Sequence, residues 1–250
     1  VKSPVLWRIV ILAGLVILLE VLCVAGVIDK LTMQPPHRIL TDLFAMLATG
    51  ALNKAIAKTL GNALIAFIIA MVVGVTSAIV IHRLRRVRDT LEPLFATYYA
   101  IPVFAFYPML IVLLGLGDAP QIFIGAMLGV VAVIVNTLNG LDRVPGVLLK
   151  TARINQMSPV DTALRVTLPC ASPYILTGAK LAVAYSLIGI IGAEFIMSSG
   201  GMGYEISFAY NNFDNATMYP LILLILLVSI SINMMIARWE KVLMARRGLR

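Results

Sequence analysis

Residues 141–169, LDRVPGVLLKTARINQMSPVDTALRVTLP, lie between two apolar runs, 120–138 and 173–198, and read as two short helices joined by a turn. Pro145 suits the first turn of a helix, where a missing N–H is harmless. The stretch Gly146–Asn155 then carries Val147, Leu148, Leu149, Ala152 and Ile154 among polar residues. The second start is sharper. Ser158 is a good N-cap, Pro159 takes the first position, and Asp161 follows three residues after the cap, near the helix's positive end. Val160, Ala163, Leu164, Thr167 and Leu168 recur at helical spacing, Asp161 stands four residues before Arg165, and Pro169 closes the segment. Residue physics admits two readings of this pair: a plain connector, or a docking element for a cytosolic partner.

The runs on either side place the pair at a membrane. A hydrocarbon core of ~30 Å takes about 20 helical residues to cross. Six stretches reach that length, at about 5–28, 61–81, 94–116, 120–138, 173–198 and 217–237. The first is too long for a cleavable signal and lacks a clear small-residue cleavage site. Only four formal charges fall inside the six: Arg8, Glu20, Lys180 and Glu194. Of the 250 residues, 60% are hydrophobic and 13% charged, and the mean hydropathy is +0.97. That balance excludes a disordered chain, a nucleic-acid-binding module and a typical soluble enzyme. Two Cys and two His are too few for a disulfide framework or a Cys/His metal site.

The net charge of +8 is a topology signal. Fifteen of the 20 basic residues fall on one side if the spans alternate: Lys2 and Arg8; Arg83, Arg85, Arg86 and Arg88; Arg143, Lys150, Arg153 and Arg165; Arg238, Lys241, Arg246, Arg247 and Arg250. That side is expected to be cytoplasmic, with both termini on it. Segment 29–60, with Lys30, Arg38, Lys54 and Lys58, is the exception and is expected to hold an interfacial helix leading into the second span.

A wider series of motifs accompanies the loop. Lys150-Thr151-Ala152-Arg153-Ile154-Asn155-Gln156-Met157-Ser158 is followed by Arg165-Val166-Thr167-Leu168-Pro169, Thr177-Gly178-Ala179-Lys180, Gly192-Ala193-Glu194-Phe195-Ile196 and Gly200-Gly201-Met202-Gly203-Tyr204. Upstream stand Leu91-Glu92-Pro93-Leu94, Ile101-Pro102, Tyr107-Pro108, Gly115-Leu116-Gly117-Asp118 and Asn136-Thr137 with Gly140. In this order they resemble the permeases of ABC importers of the nitrate, aliphatic-sulfonate and taurine branch, and the loop resembles their EAA loop. The likeness covers about residues 54–241. Lys150 stands where the family has Glu, Thr151 where it has its first Ala, and Gln156 where it has Gly. A Gly there permits a left-handed helix stop, so either the turn differs or Asn155 takes that conformation.

The resemblance implies an all-α polytopic protein of the type I importer permease kind, in the bacterial inner (plasma) membrane, with six spans and a cytoplasmic coupling helix. One transmembrane domain of 1–250 is expected, made of a first span with its interfacial segment (1–53) and a permease core (54–241) holding the coupling loop at 141–169. It further implies no cofactor and no catalytic residue on this chain. Its partners would be a second permease copy, two ATPase subunits carrying ATP and Mg, and a periplasmic or lipid-anchored solute-binding protein, with no nucleic acid. The cargo would be a small, anionic solute such as nitrate, a sulfonate, taurine or a related organic acid. The sequence has no G-x-x-x-x-G-K-[ST] phosphate loop. Lys150, Thr151, Ala152, Arg153, Asn155, Gln156 and Ser158 are expected to couple to the ATPase.

Candidate pathway or gate residues come from the spans. Lys180 and Glu194 are 14 apart in one span, within about 40° of the same face, and Ser198 joins them. Each also has a packing reading: Lys180 reaching the cytoplasmic surface, Glu194 bonded to a neighbouring helix. The third span carries Tyr98, Tyr99, Pro102, Phe106 and Pro108, as a gate or as packing. An ion-coupled carrier using Glu194 or Glu20 is the alternative class. Gly125 with Gly129, and Gly74 with Ala78, read as close helix packing.

Overall fold

The computed structural model describes residues 4–29 and 32–246, with side chains placed for 6–29 and 32–241. Lys2, Lys30, Arg247 and Arg250 of the charge pattern therefore lie outside the described residues, as does the Arg246 side chain. Helix α1 (Pro4–Val24) and the shorter α2 (Pro36–Thr49) precede α3 (Asn53–Arg83), which starts earlier than its apolar run because Thr59 and Asn62 face the protein interior. After α4 (Arg85–Thr97), single 3-10 turns at Tyr98–Ala100 and Val103–Phe106 lead into α5 (Tyr107–Leu114). Then come α6 (Asp118–Asp142), α7 (Gly146–Ile154), α8 (Pro159–Thr162), α9 (Leu168–Met197), α10 (Met202–Asn211) and α11 (Asn215–Arg246). Five of these helices are long and apolar enough to cross a bilayer, and the count is six if the two halves of the third apolar stretch form one span.

Those halves meet at 88°. The cause is local: Ile101 precedes Pro102 and is extended (φ −77°, ψ 125°), as a residue before proline prefers to be. Pro108 then restarts the helix within its first turn, where it costs no ladder bond. The third span is thus a broken one.

The centre is built from small residues on α3, α6 and α9. Ala66, Ala70, Ala78, Ala171, Ala182 and Ala193 are fully buried. Gly125 on α6 meets Gly189 on α9 so closely that a methyl on Gly189 would lie 2.6 Å from the Gly125 Cα. Helices in lipid gain little from burying large aliphatics, so close backbone approach and dispersion hold them together. The large side chains point outward instead: most of those on α1 between Leu6 and Val24 are more than half exposed. Helix α1 is tied to α2 through Glu20, which accepts from the His37 backbone N–H (3.2 Å) and pairs with His37 Nδ1 (2.6 Å).

Pro169 does not close the loop. A π-helical turn, Ala163–Thr167, carries α8 directly into α9, with the Leu168 N–H reaching Ala163 O. Pro169 falls in the first turn of α9, where a missing N–H is tolerated. The carbonyl that Pro173 leaves unpaired, Pro169 O, accepts from Ser172 Oγ at 2.8 Å. From Pro159 to Met197 the chain is helical without interruption.

Candidate functional site

The hairpin of α7 and α8 ends as the sequence indicates at one cap and differently at the other. Ser158 Oγ accepts from the Asp161 N–H at 3.0 Å, and Pro159 takes the first helical position. Asp161 also pairs with Arg165 at 3.6 Å. At the end of α7 it is Gln156, not Asn155, that adopts the left-handed conformation (φ 53°), while Asn155 stays at φ −80°. The Met157 N–H reaches Ala152 O and the Gln156 N–H reaches Arg153 O, both at 3.0 Å. This is the Schellman pattern that a Gly would form there. These paired bonds fix the backbone and hold Gln156 in a strained conformation.

Among the expected coupling residues, Lys150, Thr151, Arg153, Asn155 and Gln156 are exposed, but Ala152 is only 2% exposed and faces the bundle. The large apolar groups that α7 offers outward are Val147 (72%), Leu148 (40%) and Ile154 (80%). Behind the hairpin, Arg88 of α4 grips Asp142 of α6 with both terminal nitrogens, and His82 of α3 stands 3.3 Å from the same carboxylate. One aspartate thus gathers the ends of three helices. Lys180 pairs with Glu240 of α11. Its charge is neutralised away from Glu194, although both sit on the continuous helix α9.

At the opposite end of α6, about 36 Å from Asp142, a second cluster surrounds Glu194. The carboxylate has no exposed surface. Thr59 Oγ1 of α3 lies 2.9 and 2.8 Å from its two oxygens, and the Gly203 N–H donates to Oε2 at 3.0 Å. Thr59 Oγ1 in turn accepts from the Met202 N–H at 2.8 Å. Gly201 (φ 109°) opens this turn, and any Cβ on it would collide with the Glu194 carboxylate. Beside it, Tyr107 OH donates to Met197 O (2.6 Å), Gln121 Nε2 donates to Ser198 Oγ (2.9 Å), and Lys58 pairs with Asp118 (3.0 Å). Glu194, Gln121, Ser198, Tyr204 and Ser207 border a cleft of about 480 Å³.

The broken third span supplies another cleft, of about 370 Å³, bordered by Glu92, Phe95, Tyr99, Asn136 and Tyr185. Tyr99 stacks on Tyr185 with ring centroids 4.9 Å apart. Tyr98 OH donates to Met127 O at 2.9 Å, which pins it to α6. Phe106 is part-exposed near the bend, between Pro102 and Pro108. Of the expected pathway residues, the fold brings Glu194 and Ser198 to one cleft and Tyr99 to the other, and keeps Lys180, Tyr98, Pro102, Phe106 and Pro108 apart from both.

Sequence reasoning missed Thr59, Gln121 and the two outer ion-pair partners, Lys58 and Asp118. A signal was present for Thr59: it sits in the small-residue series Ala55, Thr59, Ala63, Ala66, Ala70, Gly74, Ala78, all buried on α3. Among the described residues, no three of His, Cys, Asp or Glu gather to hold a metal ion.

Comparison with known proteins bears on what such a bundle belongs to. The family described as binding-protein-dependent transport system inner membrane component matches residues 70–247. The nitrate import permease protein NrtB of Leptolyngbya laminosa is 28% identical over 181 residues, 72% of this chain and 65% of that protein. The bicarbonate transport system permease protein CmpB of Synechococcus elongatus is 31% identical over 173 residues, 67% of this chain and 62% of that protein. A probable ABC transporter permease protein of Haemophilus influenzae is 30% identical, with 70% of each chain covered. The chain thus spans a little under two thirds of the first two relatives. Among solved structures, an inward-facing MetNI methionine ABC transporter chain superposes with a TM-score of 0.63 at 18% identity, covering 76% of this chain and 95% of that one. The fold is shared.

Proposed function

The chain belongs to the family of binding-protein-dependent transport system inner membrane components, and from that membership we propose that it is the permease subunit of an ATP-driven importer. In this reading it is a multi-pass inner-membrane protein that carries no nucleotide site of its own. Two copies form the pathway, two ATPase subunits with ATP and Mg supply the energy, and a binding protein delivers the solute. Both termini and the α7–α8 hairpin lie in the cytoplasm. Residues 1–53 are a peripheral first span and interfacial helix, and 54–241 are the core. The relatives named for nitrate and bicarbonate support a small anionic solute.

The observation that carries the reading is the continuity of α8, the π-helical turn and α9. A docking hairpin at one end of a helical rod and a buried carboxylate holding a glycine turn at the other form one lever. Movement imposed on the hairpin by an ATPase would travel along this helical path, across the π-helical turn and Pro173, to the turn at Gly201–Gly203 that Glu194 holds. The coupling set is Lys150, Thr151, Arg153, Asn155, Gln156 and Ser158 on the hairpin, with Ala152 anchoring it from inside. Glu194 and Ser198 brace the outer gate, and Tyr99 lines the pathway at the bend. A buried carboxylate bonded to Thr59 and to the Gly203 N–H of the turn suits bracing better than proton carriage, which weighs against an ion-coupled carrier.

Uptake of the binding protein's ligand into cells tests this. ATP depletion is expected to abolish uptake while an uncoupler at maintained ATP leaves it intact. The reverse pattern would install the carrier in its place.

A further inference from the structure

A cavity of about 460 Å³ lies between the ends of α3, α6 and α9 and the hairpin; of its lining, only Arg153 belongs to the coupling set proposed above. Its floor is apolar, formed by Ile79 of α3, Leu141 of α6 and Leu168 of α9, and its rim carries Arg83 and Arg153. Neighbouring guanidiniums are paired, Arg88 with Asp142 and Arg165 with Asp161, and His82 also lines the cavity. The guanidinium groups of Arg83 and Arg153 make no ion pair or hydrogen bond among the described residues. Part of the wall is the π-helical turn, a distortion that recurs at functional sites.

We propose that this cavity holds the headgroup of an anionic phospholipid from the cytoplasmic leaflet. The proposal rests on the cytoplasmic placement of the hairpin. Two guanidiniums without acidic partners match the paired oxygens of a phosphodiester. The apolar floor suits the glycerol and first acyl carbons, which a free phosphate ion would leave uncovered. Basic pockets between helix ends on the cytoplasmic side lie at headgroup depth, where anionic lipid concentrates. Arg83 ends α3 and Arg153 belongs to α7, so one headgroup joins the docking hairpin to the bundle. The stiffness of that hairpin then depends on the lipid.

The test uses the full chain in a neutral detergent, titrated with dihexanoyl-phosphatidylglycerol and followed by native mass spectrometry. Saturable binding is expected, weakened about fivefold by R83Q and by R153Q and unchanged by R85Q, which alters a cation outside the cavity. Melting temperatures of the lipid-free variants check that they fold. Should R153Q melt early, R83Q alone carries the comparison. Dihexanoyl-phosphatidylcholine and inorganic phosphate are expected to bind without saturation over the same range. Wild-type affinity in R83Q overturns the site. Equal binding of phosphatidylcholine removes the role of charge, and equal binding of phosphate removes the lipid. No ATPase or transported solute enters the measurement, so its outcome is separate from that of the uptake experiment.

Discussion

Glu194 holds its glycine turn through Thr59 Oγ1 and the Gly203 N–H, with no surface left to water. Replacing it by Gln keeps the shape but turns one oxygen into an NH₂, of whose two hydrogens Thr59 Oγ1 can accept only one. Leaving a buried donor unmatched costs about 1–3 kcal/mol, here concentrated on the turn. E194Q is therefore expected to lower transport and solute-stimulated ATPase activity while the complex still assembles. Normal transport by E194Q would return the residue to plain packing. The residue was legible in the sequence because an acid inside an apolar run stands out and four glycine-rich positions follow it. Thr59 was legible only as a buried member of the small-residue series on α3; its partner was not, since a hydroxyl in a span bonds its own helix as readily as a distant group. Lys180 was legible as a charge but its partner was not: Glu240 lies just past the sixth apolar stretch and reaches back.

At the scale of the element, the α7–α8 hairpin was readable at its start signals and misread at its stop. Ser158 and Pro159 announce a cap whose chemistry is local, so spacing sufficed. The left-handed residue could not be chosen between Asn155 and Gln156, because the choice is made by the paired bonds from Met157 and Gln156 back into α7. Restoring the glycine, Gln156→Gly, relieves a strained backbone and is expected to raise stability by about 1 kcal/mol, read as a higher thermal midpoint. A lower midpoint would mean that the Gln side chain is itself bonded in the assembled complex. The orientation of α7 also separates two substitutions that the sequence treats alike. Ile154→Glu alters an exposed group and is expected to abolish ATPase co-purification from a folded permease. Ala152→Glu places a charge against the bundle and is expected to lower the permease's own melting temperature. If the two variants behave the same way, α7 does not dock with the face assigned here.

For the molecule as a whole, the six apolar stretches carried most of the architecture, since the bilayer permits few alternatives. The 88° break in the third stretch was signalled only as two prolines, because the direction of a bend depends on what packs around it. The merging of α8 with α9 was hidden by Pro169, which reads as a stop until a π-helical turn accommodates it. In the importer proposed above, that merging links the hairpin an ATPase would engage to the turn held by Glu194, in a pathway shared with a second copy of the chain. Native mass spectrometry of the complex purified in mild detergent, from cells expressing this chain with its neighbouring ATPase, tests this most directly. The account predicts two permease copies with two ATPase subunits, an assembly that I154E reduces to permease alone. A permease that remains monomeric and binds no ATPase would contradict it.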